Sequence, residues 1–321
     1  MLLLSTMKAS FIEDDKQILN KSFNLTTFYG AGLKGVLNYF YLSLKNDVSI
    51  SWFCSVYSFF MVLGCKLARK KSVIILGGID CANLESINYG VWLKWYKHFF
   101  LKYALKKSDV ILTVDMSLKE KIENASSLKL DKIKLLRTGQ KINFWEYREN
   151  KEDSIVTVAG CENIPRVLMK GLDLIKEIAI LLPEYKFIIV GTSRKLLESI
   201  CGEFPKNVQI EPRLPRNELL EYYQKAKIYL QPSRFEGLPG SICEAMLCGA
   251  IPIGSNVCGI PFAIGDTGKI IDSEDIVGFV EAIKICMNTK NSKNGRNRII
   301  EFFEYERREV EFTNLIIDLI K

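Results

Sequence analysis

Histidine is almost missing: His98 is the only one in 321 residues. The nine cysteines (54, 65, 81, 161, 201, 243, 248, 258 and 286) stand singly, and no Cys-x-x-Cys pair occurs. One His and no paired Cys argue against a zinc site. Most of these cysteines lie in apolar runs, which suits buried thiols in a reducing cytosol. There is no Asp-x-Asp pair, and Asp14-Asp15 is a poor substitute for one. No cofactor and no metal are therefore expected. A clean membrane-spanning run is also lacking. Residues 49–68 come nearest, but Ser51, Ser55, Ser58, Gly64 and Lys66 interrupt them. They read as a strand followed by a buried helix. Residues 1–8 are too short for a signal peptide and have no basic leader. No nucleic-acid recognition motif is present. The expected place is the cytoplasm, extending to the inner face of a membrane.

What is present is unevenly charged. Residues 1–150 hold 22 Lys/Arg against 13 Asp/Glu, and residues 151–321 hold 22 against 24. The basic half suits an anionic partner or a plain solvated surface. The length suits two domains. Short apolar runs alternate with helical patterns throughout, so the fold class is α/β with parallel doubly wound sheets. The polar run 147–153 reads as the linker between the domains. In the first half, Gly30 and Gly32 precede a helical stretch. They suit either a substrate approaching the backbone or a flexible turn. Gly77, Gly78 and Asp80 follow the short strand 73–76, at the carboxyl end where open α/β sheets bind ligands. Asp80 suits either an acceptor-orienting base or a cap. Residues 91–107 mix Trp92, Trp95, Tyr96, Phe99, Phe100 and Tyr103 with five lysines. Such a helix can lie in a membrane interface or pack on a sheet.

The most informative stretch is 231–250. A β-type run, 226–230, meets Pro232. Gly237, Leu238, Pro239 and Gly240 then form a tight loop, and Ser241 is placed to cap a helix over 242–248 that stops at Gly249. Strand, glycine loop and helix N-terminus together make an anion site, framed by Glu236 and Glu244.

The residues from Pro232 to Pro239, then Glu244-Ala245-Met246 and Gly249-Ala250-Ile251-Pro252, resemble the signature of the group 1 (family 4) retaining glycosyltransferases of the GT-B fold. Glu236 and Glu244 match its paired glutamates, and Lys170-Gly171 its Lys-Gly motif. Phe262 departs from the pattern, standing where many members carry Glu. The resemblance implies two facing Rossmann-like domains: residues 1–150 for the acceptor and 151–299 for a nucleotide sugar, with a helix over 300–321 crossing back to the first. It implies that Lys170, assisted by Arg166, holds the donor diphosphate. Glu236 contacts the sugar, Gly237, Leu238, Pro239 and Gly240 face sugar or phosphate, and Glu244 takes the ribose. Gly191, Arg213 and Leu214 complete the donor side. Gly30, Gly32, Gly77, Gly78 and Asp80 form the acceptor side, and Glu236, Lys170 and Asp80 are the expected catalytic set. The implied partners are a nucleotide-sugar donor and a glycan or lipid-linked acceptor, with no nucleic acid. A non-catalytic nucleotide-sugar-binding partner, a phosphorylase and an epimerase remain alternatives.

Overall fold

The computed structural model describes residues 1–290 and 293–321. They form two compact units, Met1–Gly139 with Tyr305–Lys321, and Gln140–Glu304. The strands in chain order are β1 (Leu2–Ser5), β2 (Thr26–Tyr29), β3 (Val48–Trp52), β4 (Lys71–Leu76), β5 (Val110–Thr113) and β6 (Ile133–Leu135) in the first unit. The second unit holds β7 (Glu152–Val158), β8 (Lys186–Val190), β9 (Val208–Glu211), β10 (Ala226–Gln231), β11 (Ile251–Ser255) and β12 (Lys269–Ile271).

In the first unit the order is β2-β1-β3-β4-β5-β6, and every pairing is parallel. The strands β1, β3 and β5 are buried along their whole length. Burial on both faces suits the apolar run of β5, whereas β3 alternates apolar residues with serines that are buried as well. In the second unit the order is β12-β11-β10-β7-β8-β9, again parallel. The chain lays β7, β8 and β9 in one direction, then returns to lay β10, β11 and β12 in the other. The two directions part between β7 and β10, so the carboxyl ends of those strands flank a crevice where such sheets bind ligands. Ile155, Phe187, Ile189, Ile228, Leu230 and Ile253 on the strands pack with Ile175, Ile178, Phe279 and Ile283 on the helices to form one core.

Several expectations change. The run 147–153 is no linker. Arg148 N donates to Cys248 O at 3.2 Å, Lys151 Nζ donates to Cys248 O at 2.7 Å and to Tyr223 O at 3.1 Å, and β7 already begins at Glu152. The run belongs to the second unit, and the division falls at Gly139. Residues 300–321 are not one helix. Glu304 takes extended backbone (ψ 141°) and separates the helix Asn294–Phe303 in the second unit from the helix Tyr305–Ile320 in the first. Residues 91–107 are also not one helix. Two 3₁₀ turns, Val91–Leu93 and Trp95–Lys97, precede the helix His98–Lys107. Among the described residues, no helix is long and apolar enough to cross a membrane.

Candidate active site

The crevice of the second unit is built from the carboxyl ends of β7, β8 and β10. After β7, Asn163 caps a short helix, Ile164–Met169, by accepting from Arg166 N at 3.1 Å. This helix carries Arg166. Lys170 follows as its last cap, and Gly171 then turns left-handed (φ +66°) into the helix Leu172–Leu181. Glycine is required at 171 for two reasons. Its φ disfavours a side chain, and a Cβ there would stand 1.9 Å from Pro232 O. The Lys-Gly pair is therefore wedged against the first residues after β10. Replacing Gly171 with Ala is expected to destabilise the second unit by roughly 2–4 kcal/mol, through left-handed strain and a clash with backbone that cannot yield. Denaturant unfolding with separate probes of the two units checks this.

Across the crevice, Lys170 Nζ is ion-paired with Glu236 Oε1, their side chains only 14% and 10% exposed. The same oxygen accepts from Gln231 Nε2 at 2.7 Å and from Ser233 Oγ at 3.1 Å. A carboxylate that accepts a cation and two neutral donors is fixed in position. Lys170 is fixed with it, at the point where the chain directions part. Cys161 lies beside this pair. Burial pushes its thiol up to about 11, while Lys170, Arg166 and Glu236 all act on it electrostatically, so Arg166 shares the neighbourhood.

The loop between β10 and the next helix is held from below by Arg234. Its backbone N donates to Met169 O at 2.7 Å. Its guanidinium grips Asp173 through both oxygens, at 2.8 and 2.7 Å, reaches Leu168 O, and pairs with Glu274. On the other side Gly259 N donates to Gly237 O at 3.0 Å, and a Cβ on Gly259 would stand 2.5 Å from that oxygen. The helix itself is Gly240–Leu247, preceded by Pro239, which has no side chain to cap it. The expectation that Ser241 caps the helix is corrected, because its Oγ instead accepts from Tyr229 Oη at 2.7 Å. The first-turn N–H groups thus receive no side-chain cap and carry the positive end of the helix dipole.

Glu244 lies one turn on, with Arg216 Nη2 donating to Oε1 and Tyr223 Oη donating to Oε2, both at 3.1 Å. Gly191 ends β8 with φ +106°, where a Cβ would stand 2.8 Å from Ala159 O, so it brings the ends of β7 and β8 close together. Arg213 and Leu214 lie in the loop after the edge strand β9, Arg213 exposed and Leu214 half-buried. The structure therefore gathers Lys170, Arg166, Glu236 and the start of the helix Gly240–Leu247 into one neighbourhood.

Sequence reasoning passed over Gln231, Ser233 and Arg234 as functional groups, although Ser233 and Arg234 lie inside the signature and Gln231 immediately precedes it. Arg216 and Tyr223 left no local signal, since both meet Glu244 from a separate helix. Gln231 Oε1 is buried and has no hydrogen-bond partner among the described residues.

The residues expected on the acceptor side all lie in the first unit, at the carboxyl end of its sheet. Gly30 N donates to Ser5 O at 3.1 Å just after β2, and Gly32 N donates to Tyr57 Oη at 2.8 Å. Gly77 and Gly78 follow β4, and their N–H groups donate to Asp80 Oδ1 at 3.1 and 2.9 Å. Asp80 does not match its expected role as a base. It is fully buried, and its other oxygen accepts from Cys54 N at 2.9 Å, so both carboxylate oxygens serve the backbone that joins the ends of β3 and β4.

Burial raises the Asp80 pKa to about 6, only partly offset by the hydrogen bonds from Cys54, Gly78 and Gly77. An unfolded aspartate releases its proton near pH 4. Between about pH 4 and about pH 6 the folded state therefore binds the extra proton, and stability falls as pH rises, by roughly 3 kcal/mol in all; outside that window the contribution is flat. Urea titrations across pH 4–7 should show this fall, and Asp80→Asn should remove it.

Residues 155–289 match the family described as glycosyl transferases group 1. A UDP-Gal:alpha-D-GlcNAc-diphosphoundecaprenol alpha-1,3-galactosyltransferase of Escherichia coli is 28% identical over 150 residues, covering 44% of this chain and 38% of that protein's own length. Among solved structures, sucrose-phosphate synthase from Thermosynechococcus elongatus superposes with a TM-score of 0.78 at 13% identity, over 99% of this chain and 98% of that one. HepE of Anabaena, in complex with UDP and glucose, does so with a TM-score of 0.73 at 12% identity, over 99% and 100%. The two parallel sheets and these likenesses give the chain the GT-B fold, and residues 155–289 of its second unit match the group 1 glycosyltransferases.

Proposed function

We propose that the chain is a retaining glycosyltransferase. In this reading it moves a sugar from a nucleotide-sugar donor to a polysaccharide or lipid-linked acceptor, in cell-envelope glycan synthesis at the cytoplasmic face of a membrane. The observation that carries the reading is the Lys170–Glu236 pair, fixed at the crevice beside an uncapped helix start. Breaking the bond from sugar to diphosphate concentrates negative charge on the leaving phosphate. Lys170, Arg166 and the N–H groups at Gly240 and Ser241 offset that charge, so the reaction in this reading needs no divalent cation. Glu236 positions sugar hydroxyls, Glu244 faces the ribose, and Arg213 and Leu214 flank the base. The acceptor oxygen attacks the anomeric carbon on the face from which the diphosphate departs. The diphosphate takes the acceptor's proton, and configuration is kept. The galactosyltransferase relative, named for UDP-Gal and a lipid diphosphate acceptor, and HepE, solved with UDP, support a uridine donor as the first to test.

The test is transfer from UDP-sugars by the purified chain in EDTA, with the product anomer read by NMR. Retained configuration and an unchanged rate in EDTA are expected. An inverted product, or activity lost in EDTA and restored by Mg²⁺ or Mn²⁺, would contradict the reading. Donor binding without turnover across a broad acceptor panel would make the chain a binding partner of another transferase.

A further inference from the structure

A second cavity lies wholly within the first unit. It has a volume of about 270 Å³, and Val36, Val56, Tyr57, Val91 and Leu101 contribute most of its wall, with Lys97 as the charged residue in the lining. Three elements enclose it: the helix Gly32–Lys45, the start of the helix Val56–Leu67, and the turns leading into the helix His98–Lys107. Its frame is firm. The bond from Gly32 N to Tyr57 Oη ties the first two elements together, and Ser55 and Ser58 form a reciprocal cap on the second. His98 Nε2 lies 2.7 Å from Trp92 O and pins the third.

The elements that line the cavity also expose apolar side chains. Leu33 (76%), Leu37 (61%) and Tyr41 (54%) repeat every fourth residue along one helix, a spacing that places them on one stripe. Trp95 (80%), Tyr96 and Phe99 (67%) are exposed on the neighbouring element. A soluble surface rarely leaves such a set uncovered. Its charge has one sign. Residues 32–45 and 91–107 contain seven lysines and no Asp or Glu. A largely apolar cavity, exposed aromatics on the same elements and a field of lysines without acids complement an amphiphile with an apolar chain and an anionic head.

We infer that this cavity binds the chain of a lipid phosphate, with Lys97 at the phosphate and Leu33, Leu37, Trp95 and Phe99 against the apolar remainder. This rests on the proposed function only in giving its acceptor side a lipid chemistry. The cavity lies in a different unit from the donor crevice, so the two readings fail separately.

Dodecyl phosphate, held below its micelle concentration, tests the proposal by calorimetric titration of the full chain, with inorganic phosphate as the second arm. Saturable 1:1 binding of dodecyl phosphate is expected, with no heat from inorganic phosphate at the same concentration. Val36→Trp, which fills the cavity, should weaken binding at least tenfold. Lys97→Glu, on the rim, should do likewise without burdening the fold. UDP binding should be unchanged in both variants, and a thermal melt that follows the first unit, matching the parent's, shows that this unit is folded. Unaltered dodecyl phosphate binding in Lys97→Glu, or equal binding of inorganic phosphate, overturns the proposal.

Discussion

Replacing Lys170 with Ala is expected to lower sugar transfer by roughly 10²–10³-fold, the usual loss when one preorganised stabiliser of developing charge is removed. The effect should fall on turnover more than on donor KM, because charge on the diphosphate grows as the bond breaks. Glu236→Ala should cost a similar factor for a different reason. It takes away the shared acceptor of Lys170, Gln231 and Ser233, so the lysine loses its fixed position. The two groups act as a unit, and the double variant should be little worse than either single one. Initial rates over a range of donor concentrations, for the three variants and the parent, check all of this. Additive losses would show that Lys170 and Glu236 act independently.

The second large effect concerns stability. Arg308, on the helix Tyr305–Ile320, is 2% exposed and meets the fully buried Asp15 through Nε at 2.6 Å and Nη2 at 2.7 Å. Its Nη1 donates to Leu136 O and Arg137 O, both at 2.8 Å, and Trp52 Nε1 donates to Asp15 Oδ2 at 3.0 Å. This network fastens the last helix to the rest of the first unit. Arg308→Ala leaves a buried carboxylate without its cation and takes the Arg308 donor from Leu136 O, while Arg137 O keeps its bond from Arg307 Nη2 at 3.2 Å. The expected cost is about 3–5 kcal/mol, or a fall of roughly 10 °C in the melting temperature of that unit. Arg308→Lys should recover little, since a point charge cannot reproduce the forked contact. Arg308→Met combined with Asp15→Leu should recover part of the loss, because no charge is left buried and unpaired, although Trp52 Nε1 and Leu136 O lose their partners in the pair. Scanning calorimetry on the full chain checks the series. A melting temperature unchanged in Arg308→Ala would show that the buried pair does not secure the helix.

The parts of this molecule that were legible in its sequence share one property: their signal is local. The strands β5, β8 and β10 are largely buried and announce themselves as short apolar runs, and β3 announces itself by alternation. Glu236 and Lys170 stood out because each sits in a dense motif whose glycines have a steric reason to be there. Gly171 shows this directly, with its closest neighbour being the carbonyl of Pro232. Other features were hidden because they depend on distant partners. The strand β1 has four residues and becomes central only because β2 and β3 flank it. β2 is an edge strand, its residues exposed or half-buried, with no apolar pattern to mark it. Arg234 looked like an incidental part of the signature until Asp173 and Glu274, 61 and 40 residues away, closed on it. Asp80 was misjudged for a related reason. A carboxylate after a glycine pair at a strand end has the same local sequence whether it faces a ligand or turns inward to hold its own backbone. Only the burial and the bond from Cys54 N decide between them.

The central claim is that the crevice around Lys170 and Glu236 binds the diphosphate of a nucleotide sugar. Calorimetric titration of UDP into the intact chain and into Lys170→Ala tests it most directly. The account predicts saturable 1:1 binding to the intact chain and at least tenfold weaker binding to the variant. Equal affinity for both, with the variant fully folded, would contradict it.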